Sequence, residues 1–85
     1  MVYGLFLQPR AKRALGKAPS DMQFRLKDAI VALSGTPRPH GARKLQGRRD
    51  TWRIRVGDWR VIYVPDDRAR VVIVSVIGHR RDVYE

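Results

Sequence analysis

The chain has 85 residues, no cysteine and two histidines, with 18 Lys+Arg against 8 Asp+Glu for a formal net charge of +10 and a pI near 11.3. One domain (residues 1–85) fits that length, with a single core burying roughly 60–65% of the unfolded surface. Disulfides and thiolate or histidine metal centres are excluded as the basis of the fold, so stability has to come from packing.

The longest apolar run, Val71 to Val74 extended past Ser75 by Val76 and Ile77, falls far short of the ~18–20 residues of a membrane span. The opening Met1-Val2-Tyr3-Gly4-Leu5-Phe6-Leu7 lacks the charged start and small-residue cleavage site of a secretory signal. A cytoplasmic protein without membrane association is the expectation. The charge excess opposes compaction by self-repulsion and points to a polyanionic partner, nucleic acid first. Fourteen of the 18 cations are arginine, the side chain suited to forked phosphate contacts.

Val2 to Leu7 has β character and ends at Gln8-Pro9. Pro9 suits the first turn of a short helix whose inner side is Ala11, Ala14 and Leu15, with Gly16 just past its end. In Ser20-Asp21-Met22-Gln23 the serine can cap the Gln23 amide while the glutamine reaches back, a capping box. Met22, Leu26, Ala29, Ile30 and Leu33 then recur at helical spacing, which predicts a second helix over Asp21 to Ser34, stopped at Gly35. The segment from Gly35 to Asp50 reads as loop, interrupted by Pro37, Pro39 and glycines. So long a connection is unusual in a small domain, and Lys44-Leu45-Gln46 is expected to form a brief strand or to dip Leu45 into the core.

From Thr51 the pattern alternates. Thr51 to Val56 and Trp59 to Val64 read as strands around a two-residue Gly57-Asp58 turn, Pro65-Asp66-Asp67 as the next turn, and Arg70 to Ile77 as the last long strand. The fold class is therefore α+β, in the order β-α-α-β-β-β, with two N-terminal helices on a mostly antiparallel, twisted sheet.

Alternation gives the hairpin two unlike faces. The turn pairs Val56 with Trp59, hence Arg55 with Arg60. One face is Trp52, Ile54, Val56, Trp59, Val61 and Tyr63, and the helices should cover it; the other carries Arg53, Arg55 and Arg60. Like charges set opposite each other on a sheet destabilise it where opposite charges would contribute roughly 0.2–1 kcal/mol. A face built this way fits an anion site, with phosphate the expected anion. Trp52 and Trp59 lie on the face assigned to the core, which argues for packing over base stacking.

The run from Lys44 to Tyr63, "KLQGRRDTWRIRVGDWRVIY", followed by "VVIVSVIGHRRDVY" up to Tyr84, resembles the RelE toxins of the RelE/ParE toxin–antitoxin superfamily. The resemblance implies a ribosome-dependent endoribonuclease acting on mRNA in the ribosomal A site. There the ribose 2′-hydroxyl attacks the adjacent phosphate, giving a cyclic phosphate and a 5′-hydroxyl end without metal or other cofactor. It also implies an acidic, RelB-like antitoxin as partner. Carried over residue by residue, Arg53 and Arg55 stand at the two basic strand positions, Arg60 at the arginine after the turn, Arg80 at the arginine of "GHR" and Tyr84 at the terminal tyrosine.

On that basis Arg55, Arg60, Arg80 and Tyr84 are the expected catalytic residues, and Arg53, Lys44, Arg48, Arg49 and Arg81 the expected phosphate contacts. Guanidinium groups can stabilise the charge of a phosphodiester transition state, but arginine is a poor base because its pKa exceeds ~12. Tyr84 as phenolate, or His79 as imidazole, is the alternative for proton transfer. Some relatives carry lysine where this chain has Arg53 and Arg55, so a lysine proton-transfer role does not carry over. Two other readings share the same features: a ParE-like toxin that binds DNA gyrase without nuclease chemistry, and a plain basic RNA-binding module.

Overall fold

The computed structural model describes residues 2–81. The elements follow as β1 (Gly4–Leu7), α1 (Pro9–Lys17), α2 (Ser20–Gly35), β2 (Arg43–Lys44), β3 (Trp52–Val56), β4 (Trp59–Asp66) and β5 (Val71–His79). The five strands form one sheet in the order β1-β5-β4-β3-β2, with β1 parallel to β5 and the remaining pairs antiparallel. Both helices cover one face, as the alternation in the hairpin requires. No helix of the described residues is long and apolar enough to cross a membrane.

The core lies between that face and the helices. Leu26, Ile30 and Leu33 at i, i+4 and i+7 put the inner side of α2 on Ile54, Val56, Val61 and Tyr63, while Ala11 and Ala18 let α1 approach β5 at Val72 and Val74. Tyr63 is fully buried, and its hydroxyl donates to the Pro37 carbonyl at 2.7 Å. Burial pushes that phenol up to about 12.

Helix α1 continues through Gly16 to Lys17, whose charge suits the C-terminal end of the dipole. No capping box forms. Pro19 occupies the N-cap position of α2, and the Gln23 amide nitrogen instead donates to the carbonyls of Gly16 and Ala18, at 3.0 Å each. Two helices this close leave the carbonyl end of the first beside the first turn of the second, and the glutamine serves the orphan acceptors rather than the Ser20 amide.

Strand β4 runs on through Pro65 to Asp66, so of the residues expected to make the turn Asp67 alone lies in it, and the turn continues to Arg70. Asp66 fixes that turn by accepting the amides of Arg68 and Ala69 through its carboxylate. The brief strand expected near Leu45 is β2, one residue earlier. Leu45 itself is buried, not in the main core but on the opposite face of the sheet with Ile62 and Val76.

Strand β5 contains a bulge. Ile62 pairs with Val76 but Tyr63 pairs with Val74, leaving Ser75 as an extra residue. The insertion changes the parity of the strand: Val72 and Val74 face the core, Val76 faces outward, and Ile77 faces the core again. Arg10 from α1 donates through Nε to the Ser75 carbonyl at 2.9 Å, satisfying an acceptor that the irregular ladder leaves aside.

The long loop is held at the end of the sheet remote from the Gly57-Asp58 turn. Arg38 binds both oxygens of Asp67 (3.1 and 2.9 Å) and Asp50 (2.8 Å); Trp52 donates to Asp50 (2.8 Å) and Tyr3 to Asp67 (2.6 Å). The guanidinium also lies over the Trp52 ring. The Trp52 hydrogen bond and then Arg38 hold the Asp50 carboxyl below the usual 3.8; Arg38 and then Tyr3 do the same for Asp67. A depressed folded pKa contributes stability that is present above the unfolded value and lost as pH falls through the folded one. The thermal midpoint of the wild type should therefore fall as pH drops below about 4. In an Arg38→Ala variant, followed by circular dichroism, that acid limb should be shallower.

Candidate active site

The face that carries the hairpin arginines is the one the helices leave uncovered, and the hairpin delivers them by register. Arg55 is paired with Arg60 and Arg53 with Ile62. Gly57, at φ +60°, makes the tight turn that sets this register. The next pairing, Arg60 with Gly78, sets no side chain of β5 beside Arg60.

The bulge then decides where the chain after β5 points. Counting by twos from Val74 would put Arg80 on the core side; counting from Val76, past the extra residue, puts it on the arginine side. Arg55, Arg60 and Arg80, with Gly57, Asp58 and Trp59, line one cavity of about 170 Å³ at the hairpin tip. Three arginines, from two adjacent strands and the residue after β5, thus line a space large enough for a phosphate group. Deleting Ser75 would make Val74 and Val76 consecutive in a regular strand and so keep Arg80 on this side: any activity that depends on Arg80 should survive the deletion and be lost in Arg80→Ala, which a growth assay of the two variants, with circular dichroism as the check on folding, measures.

The other expected residues divide. Arg53, with Arg43 and Arg55, borders a larger hollow of about 680 Å³ between α2 and the β2–β3 edge, floored by Ala29, Ala32, Leu33 and Ile54. Lys44 is exposed on β2, paired with Trp52. Arg48 and Arg49 are exposed in the loop before β3, and Arg49 lines a third hollow with Asp50, Asp66, Asp67 and Arg68, outside the hairpin-tip cavity. Arg81 is exposed, its amide donating to His79 Nδ1 at 3.3 Å. Tyr84 lies outside the described residues.

His79 is the last residue of β5. Its ring stands edge-on to Trp59, with centroids 6.0 Å apart at 86°, a packing contact that fixes the imidazole beside the cavity without placing it among the lining residues. Trp52 is packed against the core as expected. Trp59 packs there too but also lines the cavity.

Sequence reasoning missed Asp58. Its backbone carbonyl accepts the Arg80 amide at 2.8 Å and its carboxylate stands 4.0 Å from Arg80 Nη1. The signal was available: once the turn is fixed at Gly57-Asp58, any residue brought to Arg60 by the neighbouring strand also meets Asp58.

Residues 5–84 match the family described as the ParE toxin of the type II toxin–antitoxin system, parDE. Among solved structures, the archaeal RelE–RelB complex from Pyrococcus horikoshii is similar at 26% identity and a TM-score of 0.84, over 98% of this chain and 100% of that one. A mutant of the E. coli toxin RelE in the free state is similar at 30% identity and a TM-score of 0.80, over 93% and 84%. The intact E. coli RelBE toxin–antitoxin complex is similar at 29% and 0.81, over 91% and 95%. A search of curated proteins found no match.

Proposed function

The chain belongs to the ParE toxin family of type II toxin–antitoxin systems, within the RelE/ParE superfamily, and from that premise we propose that it is a ribosome-dependent mRNA endoribonuclease that arrests translation in the cytoplasm. The observation that supports this reading is the convergence of Arg55, Arg60 and Arg80 on one cavity.

In that chemistry a ribose 2′-hydroxyl loses its proton to a base and attacks the adjacent phosphorus, and the P–O5′ bond breaks. The products are a 2′,3′-cyclic phosphate and a 5′-hydroxyl end, the leaving oxygen having gained a proton. The three guanidinium groups stabilise the extra negative charge on the phosphoryl oxygens at the transition state. Tyr84 serves as base or orients the nucleotide, with His79 the alternative group for proton transfer. Arg53 and Lys44 bind flanking phosphates, and Arg48, Arg49 and Arg81 add further contacts. A basic surface of this kind is neutralised by an acidic, RelB-like antitoxin.

The test is to add purified protein to a defined translation reaction and map mRNA 5′ ends by primer extension, with and without ribosomes. Cuts at A-site codons that require ribosomes support the reading; intact mRNA in the presence of folded protein sinks it. The family match is to a ParE toxin, which favours a second reading, binding of DNA gyrase. Inhibition of supercoiling with mRNA left intact is the result that would select it.

A further inference from the structure

We propose that Asp58 is a positioning residue for Arg80. The structural part of this rests on geometry alone, and the functional part on the ribonuclease reading above. Arg80 follows the last residue of β5, so its backbone has left the sheet. The β3–β4 turn ties it back: its amide donates to the Asp58 carbonyl at 2.8 Å, and Nη1 lies 4.0 Å from Asp58 Oδ1. Among the described residues lining the hairpin-tip cavity, Asp58 supplies the one carboxylate beside three guanidinium groups.

The turn is itself braced from behind. A Cβ on Gly57 would lie 3.3 Å from Arg25 Nη1 and 3.3 Å from Met22 Cε, so α2 backs the tip. Backbone geometry and α2 therefore hold the turn, and the turn ties Arg80 through the Asp58 carbonyl, with the two exposed side chains 4.0 Å apart.

The two effects of this carboxylate on an RNA substrate oppose each other. Like-charged guanidinium groups repel and splay apart, and a fixed anion beside Arg80 draws it into one place. The same anion repels the incoming phosphate. Asp58→Asn keeps the shape and the backbone hydrogen bond but removes the charge. It should tighten binding of a 2′-O-methylated, uncleavable RNA by about 2–3-fold while lowering kcat of cleavage by about 10-fold, so that kcat and KM fall together. A residue with a purely structural role would lower the thermal midpoint without tightening RNA binding. Asp58→Glu should restore kcat to within about 3-fold of wild type.

The closing experiment reads Arg80 directly. In nitrogen-15 relaxation of the arginine side chains, the order parameter of Arg80 Nε–H should fall in Asp58→Asn to that of the exposed Arg48, with Arg55 and Arg60 unchanged. An Arg80 signal equally ordered in wild type and Asp58→Asn overturns the proposal whatever the enzyme does. A wild type that shows the ordered Arg80 but leaves mRNA intact supports the tether and fails the ribonuclease reading. Ordered Arg80 released in Asp58→Asn, with kcat unchanged in an active enzyme, overturns the functional half.

Discussion

On the proposed ribonuclease reading, Arg60→Ala will lower the rate of mRNA cleavage by about 10²–10³-fold, the loss typical of removing one preorganised group from a transition-state anion site. Arg60 has the central place for this: it is half-buried on the middle strand of the sheet, faces Arg55 across the hairpin, and has Gly78 on its other side. The thermal midpoint should stay within about 4 °C of wild type, because a substitution on the uncovered face changes stability by only about 0.5 kcal/mol. One like-charge pairing is also relieved. Loss of cleavage at unchanged stability separates a catalytic role from a folding one. Primer extension and a melting curve on the same preparation decide it; a variant within about 3-fold of wild-type rate would remove Arg60 from the machinery.

Leu26→Ala will cost about 3–4 kcal/mol, a large share of the margin of a domain this size. Leu26 is fully buried on α2, and its neighbours cannot collapse into the space because Ile30 and Leu33 are anchored to the same face of the sheet. A melting midpoint lower by roughly 15–25 °C follows for a chain of this length. Urea unfolding should show the midpoint concentration falling with an unchanged slope. Phe24→Ala, two residues away on the exposed side at 71% exposure, is the control and should move stability by less than about 1 kcal/mol. A midpoint for Leu26→Ala within 5 °C or so of wild type would mean that α2 is not bound to the sheet as described.

Much of the fold was legible because most of this chain obeys one period at a time. The register of Arg55 with Arg60 follows from a two-residue turn and simple alternation, and the structure has it. So do the two helices, the separation of arginines from tryptophans, and the brief strand before Leu45. What alternation could not reach were features created by tertiary neighbours. Gln23 turned to the carbonyls of α1 because those acceptors sit beside it only after the helices meet. Leu45 went to the arginine-bearing face because Ile62 and Val76 form a second apolar patch there. Arg38, a loop cation with nothing in its local pattern to single it out, is the centre of a cluster with Asp50 and Asp67, which are 12 and 29 residues away in the chain. The arginines of the site were identified by type and resemblance, but strict alternation from Val74 would have sent Arg80 to the core side, because it does not foresee the bulge at Ser75.

Ser75 therefore holds a kind of information that side chains do not express. From the core-facing Val74 to Arg80 the chain is one residue too long for strict alternation to put the two on opposite faces, and the bulge takes up the excess. A chain without this position would run as a regular strand and deliver the same faces on either side of the gap. A chain that kept the residue but ironed out the bulge would turn its last arginine toward the helices. For this fold, what a gap in the final strand means depends on whether the neighbouring strand registers it, not on how many letters are missing.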